Sequence, residues 1–417
     1  MIMDIPKKGP KIVMSGYYGF GNCGDEAVLL SIVHCIRKLC PDARITVLSG
    51  DPERTREQYG VQAVDRWSPA NIVPELLTCR LLISGGGSLL QDVTSARSPG
   101  YYLGVIRLAL LFRKKVMVYS QGVGPLTLEK NRAEAARVLN RCHSIALRDA
   151  ASADLLRELG VTRDMRVTCD PVMALGREDA LGAECIMRDM YKGADVGEGA
   201  DASRNNAAGT TGTTGTTGTG GNIGAAACLL KEFGISDDPA PARKPLLFVA
   251  VRRWKDDSHI ARIAAFLDAR AAKGWRVLLV PAHFPGDAEA NKRVCGMMAA
   301  QPHCIGRALT AREFLALAAS ADMVFSMRLH GLICAMAAGT PMVALSYDPK
   351  VDAFMEQAGM KGYCLPLDGF DVDSAERMID GLCAMSPASL SEKEARRKEM
   401  QRSAWETAEM AVALLKS

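Results

Sequence analysis

Ser326-Met327-Arg328-Leu329-His330-Gly331 stands between an apolar run, Met323 to Phe325, and a helix-like stretch from Leu329 to Gly339. A strand that turns straight into a helix points backbone N–H groups away from the sheet, beside the positive end of the helix dipole. That favours an anionic group there. Arg328 offers a fork of donors to an oxyanion, and His330, two residues on, can carry a proton at neutral pH. The hexapeptide reads as an anion-handling catalytic corner. Taken alone, it is equally compatible with an arginine that caps a neighbouring element and a histidine satisfied by packing.

The same unit recurs along the chain. Lys11 to Ser15 forms a first short strand, and Gly16-Tyr17-Tyr18-Gly19-Phe20-Gly21-Asn22-Cys23-Gly24-Asp25-Glu26 follows as a glycine-rich turn. Ala27 to Leu39 is apolar enough for a buried helix. Glycines let a backbone approach a ligand closely, which makes Gly19, Asn22 and Gly24 candidate binding positions. Asp25 is placed either to cap the helix or to accept a proton from a substrate hydroxyl. The spacing matches neither Gly-x-Gly-x-x-Gly nor a P-loop, so neither a dinucleotide nor a nucleoside triphosphate is implied.

Further apolar strands at Arg44–Ser49, Leu81–Ser84, Val116–Ser120 and Ser144–Leu147 alternate with helical stretches, which implies parallel βαβ units. Ligands gather at the carboxyl ends of such strands. Those ends carry Gly85-Gly86-Gly87-Ser88, Gln121-Gly122-Val123-Gly124-Pro125 and Arg148-Asp149. A glycine nest for an anion and a ligand-facing Arg148 are the functional readings; a plain loop and a local ion pair are the alternatives. A second series begins at Pro245, with Leu246–Val251 ending in Arg252, Arg276–Pro281 ending near His283, and Met342–Ser346 ending in Tyr347-Asp348-Pro349-Lys350.

The expected fold class is therefore α/β, two Rossmann-like domains facing across a cleft. Residues 1–172 form the first domain and 244–388 the second. The interdomain region 173–243 contains a disordered Gly/Thr-rich insertion at 193–224, whose composition cannot supply a packed core.

At 417 residues and 48% hydrophobic, the chain can fill two cores. A net charge of +4 gives no support to nucleic-acid binding. Thirteen scattered cysteines, with no Cys-x-x-Cys pair, fit buried thiols in a reducing cytosol, and no metal site is expected. The N-terminus lacks a signal-peptide core. The longest apolar run, Tyr101 to Phe112, falls short of the roughly 20 residues a spanning helix needs. Followed by Arg113-Lys114-Lys115, it leaves open a peripheral contact with an anionic leaflet at the inner face of the membrane.

Taken together and in order, the segments Gly16–Glu26, Ser84–Asp92, Gln121–Pro125, Arg148-Asp149, Arg252 and Met327–Gly331 resemble the polysaccharide pyruvyltransferases, in particular the bacterial branch that pyruvylates a secondary cell-wall polymer to anchor surface-layer proteins. The resemblance implies a GT-B-like fold, with the C-terminal helix (389–417) packing back across both domains. It implies phosphoenolpyruvate as donor, no cofactor, and a lipid-linked aminosugar acceptor, N-acetylmannosamine, pyruvylated to a 4,6-ketal. Arg148, Arg328 and His330 match the family positions associated with the donor. The binding set is completed by Gly85, Gly86, Gly87, Gln121, Gly122 and Arg252 beside Gly19, Asn22 and Gly24. In the mechanism expected, Arg148 and Arg328 grip the donor, His330 protonates the enol carbon and Asp25 takes the acceptor's proton. The alternatives are a GT-B glycosyltransferase with a nucleotide-sugar donor and a non-catalytic sugar-phosphate-binding protein. The oligomeric state stays open.

Overall fold

Leu81–Ser84 and Leu246–Ala250 are buried along their whole length, and a strand that is apolar on both faces needs cover on both. The computed structural model describes residues 9–93, 95–182, 220–235 and 243–417, and within them two parallel sheets meet that need. The first comprises β1 (Lys11–Ser15), β2 (Arg44–Ser49), β3 (Gln62–Asp65), β4 (Leu81–Ser84), β5 (Gly87–Leu90), β6 (Lys115–Val123), β7 (Ser144–Leu147) and β8 (Met165–Val167). Its order is β3-β2-β1-β4-β6-β7-β8, with β5 also on β6. The second comprises β9 (Leu246–Ala250), β10 (Arg276–Leu279), β11 (His303–Cys304), β12 (Met323–Ser326), β13 (Met342–Ser346) and β14 (Cys364–Pro366), ordered β11-β10-β9-β12-β13-β14. The molecule has the α/β, two-sheet architecture expected of it.

Several boundaries differ from the sequence reading. The first helix spans Cys23–Leu39, and its cap is Asn22, whose side chain accepts from Gly24 N at 3.1 Å. Asp25 therefore lies inside the first turn and is not the cap. β6 runs on through Gln121 and Gly122, because Gln121 pairs with Gly87 on one side and Leu147 on the other. That motif is part of a strand and does not follow one. Positions 193–219 of the Gly/Thr-rich insertion lie outside the described residues, whereas 220–224 open a helix, Gly220–Glu232. The apolar run near Tyr101 is the helix Ser98–Leu111, which buries Tyr102, Leu103, Val105, Ile106 and Ala109 against the first sheet's core. Among the described residues no helix is long and apolar enough to cross a membrane.

Among the described residues, several links join the two halves. Cys23 N donates to Ala282 O at 2.8 Å beside an antiparallel bridge between Asn22 and His283. This stitches the glycine-rich turn to the loop after β10. Gln357 Nε2, at the end of the helix Pro349–Gln357, donates to Arg148 O and Thr168 O. Finally, the helix Pro387–Lys416 runs along the seam. Its Arg396 bonds Gln357 O, its Met400 O accepts from Cys169, and its Leu414 O accepts from Lys115. One continuous apolar cluster, from Ile12 through Phe248 to Leu415, lies beneath these links.

Candidate active site

Three glycines each seat one polar side chain. A Cβ on Gly24 would strike the His330 ring, one on Gly87 would lie 2.6 Å from Asp25 Oδ1, and one on Gly122 would lie 2.5 Å from Arg148 Nη2. Gly87 also has φ +82°, a left-handed backbone that costs other residues strain. The close approach that the glycines permit is thus made by the protein's own side chains. In this way segments distant in the chain bring an imidazole, a carboxylate and a guanidinium to the seam.

Asp170 links two of them. It follows β8, has no exposed side-chain surface, and starts the 3-10 turn Pro171–Ala174 by accepting from Val172 N at 3.0 Å. Arg148 Nη1 stands 3.5 Å from Asp170 Oδ2, and His330 Nε2 approaches the same oxygen from the other half at 3.6 Å. Burial works to raise the Asp170 carboxyl, but His330, Arg148 and the Val172 N–H outweigh it and hold the carboxyl below its usual range. Arg148 also reaches Asp149 at 3.6 Å and Ser88 Oγ at 3.2 Å.

Asp25, half-buried, accepts from Asn22 Nδ2 at 2.6 Å. Burial is the main force that pushes its carboxyl up to about 6; Glu26 and Asp170 add to it, while His330 and Arg148 oppose it. A carboxylate that titrates so near neutrality is suited to take up a proton. The helix Leu329–Ala338 begins at the same place, and no side chain caps its N-terminus. The helices that start at Cys23 and Ala150 are both capped, by Asn22 and Asp149.

A family model described as polysaccharide pyruvyl transferase matches residues 22–349, which spans Asn22, Asp25, Arg148, Asp170 and His330. The chain belongs to the polysaccharide pyruvyl transferase family. No curated protein matches the sequence. Among solved structures, it resembles UDP-GlcNAc 2-epimerase from Neisseria meningitidis bound to UDP-GlcNAc (12% identity, TM-score 0.58, covering 97% of this chain and 99% of that one). It also resembles a putative UDP-N-acetylglucosamine 2-epimerase from Listeria monocytogenes (10%, 0.57, 98% and 96%) and a glycosyltransferase from Rickettsia africae (10%, 0.55, 98% and 96%). At such identities the likeness is one of fold, and that fold is GT-B.

In this pyruvyl transferase, several expected binding positions have other duties. Arg328 is held in a fork by Asp287, with Nε on Oδ2 at 2.9 Å and Nη2 on Oδ1. The bidentate donor grip expected of it is therefore already occupied. Asp287 is almost fully buried and also accepts from Ala282 N and His283 N. Arg252 lies against the rings of Trp254 and Tyr347 and donates to Tyr347 Oη at 2.9 Å. Gly19 N is engaged by Glu26 at 2.7 Å. Gly85 N donates to Ser15 O, and both Gly85 and Gly86 make room for protein, namely Tyr18, Val28 and Pro171. Gln121 is buried and donates to Ser84 Oγ and Gly85 O, which ties β6 to the glycine turn.

The residues the sequence reading missed are Asp170, Asp287 and Gln357, while Ser88 and Lys350 stand in quoted strand-end segments without a role of their own. Asp170 had a signal: it stands shortly after a short strand and precedes a proline. By itself that pattern marks a turn. Lys350 is half-buried near Arg148 and Asp149. Among the described residues, no group of His, Cys, Asp and Glu is arranged to hold a metal ion.

Proposed function

We propose that this family member transfers the pyruvyl group of phosphoenolpyruvate to two hydroxyls of an aminosugar, N-acetylmannosamine, in a lipid-linked cell-wall precursor, and releases phosphate. The observation that carries the reading is the meeting of Arg148, Asp170 and His330 at one carboxylate oxygen, across the two halves. The donor brings a phosphate and a carboxylate. Among the described residues, the Arg148 guanidinium is held by contacts of 3.2–3.6 Å, so its fork can turn to an anion. The uncapped helix beginning at Leu329 adds outward-facing N–H groups.

Protonated His330, oriented by Asp170, gives its proton to the methylene carbon of the donor, and the neighbouring carbon becomes electrophilic. One sugar hydroxyl adds there while Asp25 takes its proton. The C–O bond to phosphate then breaks, and the phosphate leaves with the electron pair. The second hydroxyl adds to the same carbon and gives its proton to the released phosphate, which closes the ketal. Arg328 is assigned a positioning role: clamped to Asp287, it fixes the turn that presents His330. We place the reaction in the cytoplasm, at the inner face of the membrane, where exposed Leu111 and Arg113 end the helix Ser98–Leu111. Anchoring of surface-layer proteins would be the use of the product.

The test is mass spectrometry of a synthetic lipid-linked N-acetylmannosamine glycoside after incubation with phosphoenolpyruvate, run beside a phosphate assay. A gain of one pyruvyl ketal per phosphate released is expected. Consumption of a nucleotide sugar, with phosphoenolpyruvate untouched, would overturn the reading.

A further inference from the structure

The carboxyl end of the second sheet holds a cavity of about 310 Å³, at the lower end of the ~300–1,000 Å³ typical of small-molecule sites. Trp254, beyond β9, and Tyr347, beyond β13, form one corner. Their ring centroids are 4.7 Å apart and their planes are inclined at 56°. Arg252 lies 5.4 and 5.0 Å from these two rings and bonds the Tyr347 hydroxyl, so it acts as a strut that fixes both. The polar wall is Asp348, Asp352, Asp368 and Lys255. Asp352 accepts from Ser346 and Asp348 from Lys350 N, and each carboxylate keeps unused lone pairs. Lys255 and Asp368 face each other at 3.4 Å and are both exposed.

Three carboxylates against one ammonium would repel a phosphate or a carboxylate ligand. An uncharged polyhydroxylated ring meets no such objection. Its hydroxyls donate to carboxylates, and its C–H face covers an aromatic ring. The helix Pro349–Gln357, whose Pro349 and Asp352 line the cavity, connects it to the Arg148 cluster. Lys350, two residues past Asp348, senses the charges of Arg148 and Asp149, and the helix it begins ends with Gln357 bonded to Arg148 O.

We propose that this cavity seats one neutral hexose ring of the acceptor, with Trp254 and Tyr347 as its stacking corner and Asp348, Asp352 and Asp368 as its hydroxyl acceptors. The proposal rests on the reading that the acceptor is a sugar polymer, and it gives Arg252 a supporting place behind the acceptor.

The test uses the full chain with the methyl glycoside of N-acetylmannosamine as probe. Saturation-transfer NMR without donor measures sugar contact, calorimetry measures the Kd for phosphoenolpyruvate without acceptor, and initial rates give the acceptor KM. Trp254→Leu should abolish the NMR signal and raise the acceptor KM at least tenfold, Trp254→Phe should restore most of both, and the donor Kd should move less than twofold. Should Trp254→Leu fail to fold, Asp368→Asn, at an exposed position, serves the same comparison with a smaller expected rise. Unchanged sugar contact in these variants, or an equal loss of donor affinity, overturns the proposal. If sugar contact depends on Trp254 but no pyruvyl transfer occurs with any donor, the subsite stands and the catalytic reading falls.

Discussion

Arg148 and Arg328 occupy matching places, each just past the carboxyl end of a parallel strand in its own half, yet they are held in opposite ways. Arg148 is spread over Asp149, Asp170 and Ser88 at 3.2–3.6 Å. Arg328 is forked onto one buried carboxylate. A guanidinium with long, divided contacts can turn to a ligand while His330 and the Val172 N–H still serve Asp170. One in a fork can be recruited only by leaving a buried carboxylate unpaired. The difference teaches that a cation at a strand end is a candidate for binding only so far as its donors remain uncommitted.

In the reaction we propose, the first half holds the donor through Arg148 and the second supplies the proton from His330, and this division can be attacked experimentally. The largest effect is expected from His330→Asn, a loss of about 10²–10⁴-fold in kcat with phosphoenolpyruvate binding still measurable by calorimetry. Full turnover in that variant would remove the second half's part.

Next, Asp25→Asn should lower kcat by about 10²-fold. It should also abolish the fall in rate as pH drops through about 6, the value to which burial raises Asp25. The stability change has the opposite sign. A carboxyl raised in the folded state contributes stability that is complete below its unfolded pKa of 3.8 and is lost as pH rises through about 6. The Asn variant should therefore melt no lower than the parent at pH 8. A lower Tm there, with activity retained, would make Asp25 a structural residue.

Smaller, and aimed at the comparison itself, Arg148→Lys should raise the donor KM about tenfold, the equivalent of one charged hydrogen bond at ~1.4 kcal/mol. Arg328→Lys should change that KM less than twofold and instead lower stability by about 1–2 kcal/mol, because Asp287 loses its fork. If the two lysine variants shift the donor KM equally, the contrast drawn between the halves fails.

Much of the architecture was legible. Apolar runs such as Leu81–Ser84 and Met342–Ser346 are short and bounded by turn residues, which marks them as buried strands, and their alternation with helices gives parallel sheets. His330, Arg148 and Asp25 stand out in the sequence because each is a charged or titratable residue in a turn or helix start that follows a strand. Asp170 and Asp287 were not. Their importance comes from what arrives from elsewhere in the chain, Asp170 meeting Arg148 and His330 and Asp287 meeting Arg328, and linear spacing does not record such meetings. The pairing of Arg252 with Tyr347, 95 positions away, is hidden for the same reason. The turn glycines are plain in the sequence, but the side chains that rest on Gly24, Gly87 and Gly122 come from elsewhere in the chain and are not.

Those three glycines reverse the usual logic of a truncation survey. Alanine replacement deletes atoms almost everywhere else in the chain. At Gly24, Gly87 and Gly122 it inserts a methyl group where an imidazole, a carboxylate and a guanidinium already rest. A scan that counts alanine as the harmless substitution would therefore rank these positions beside the catalytic groups, although none of the three carries a functional atom of its own.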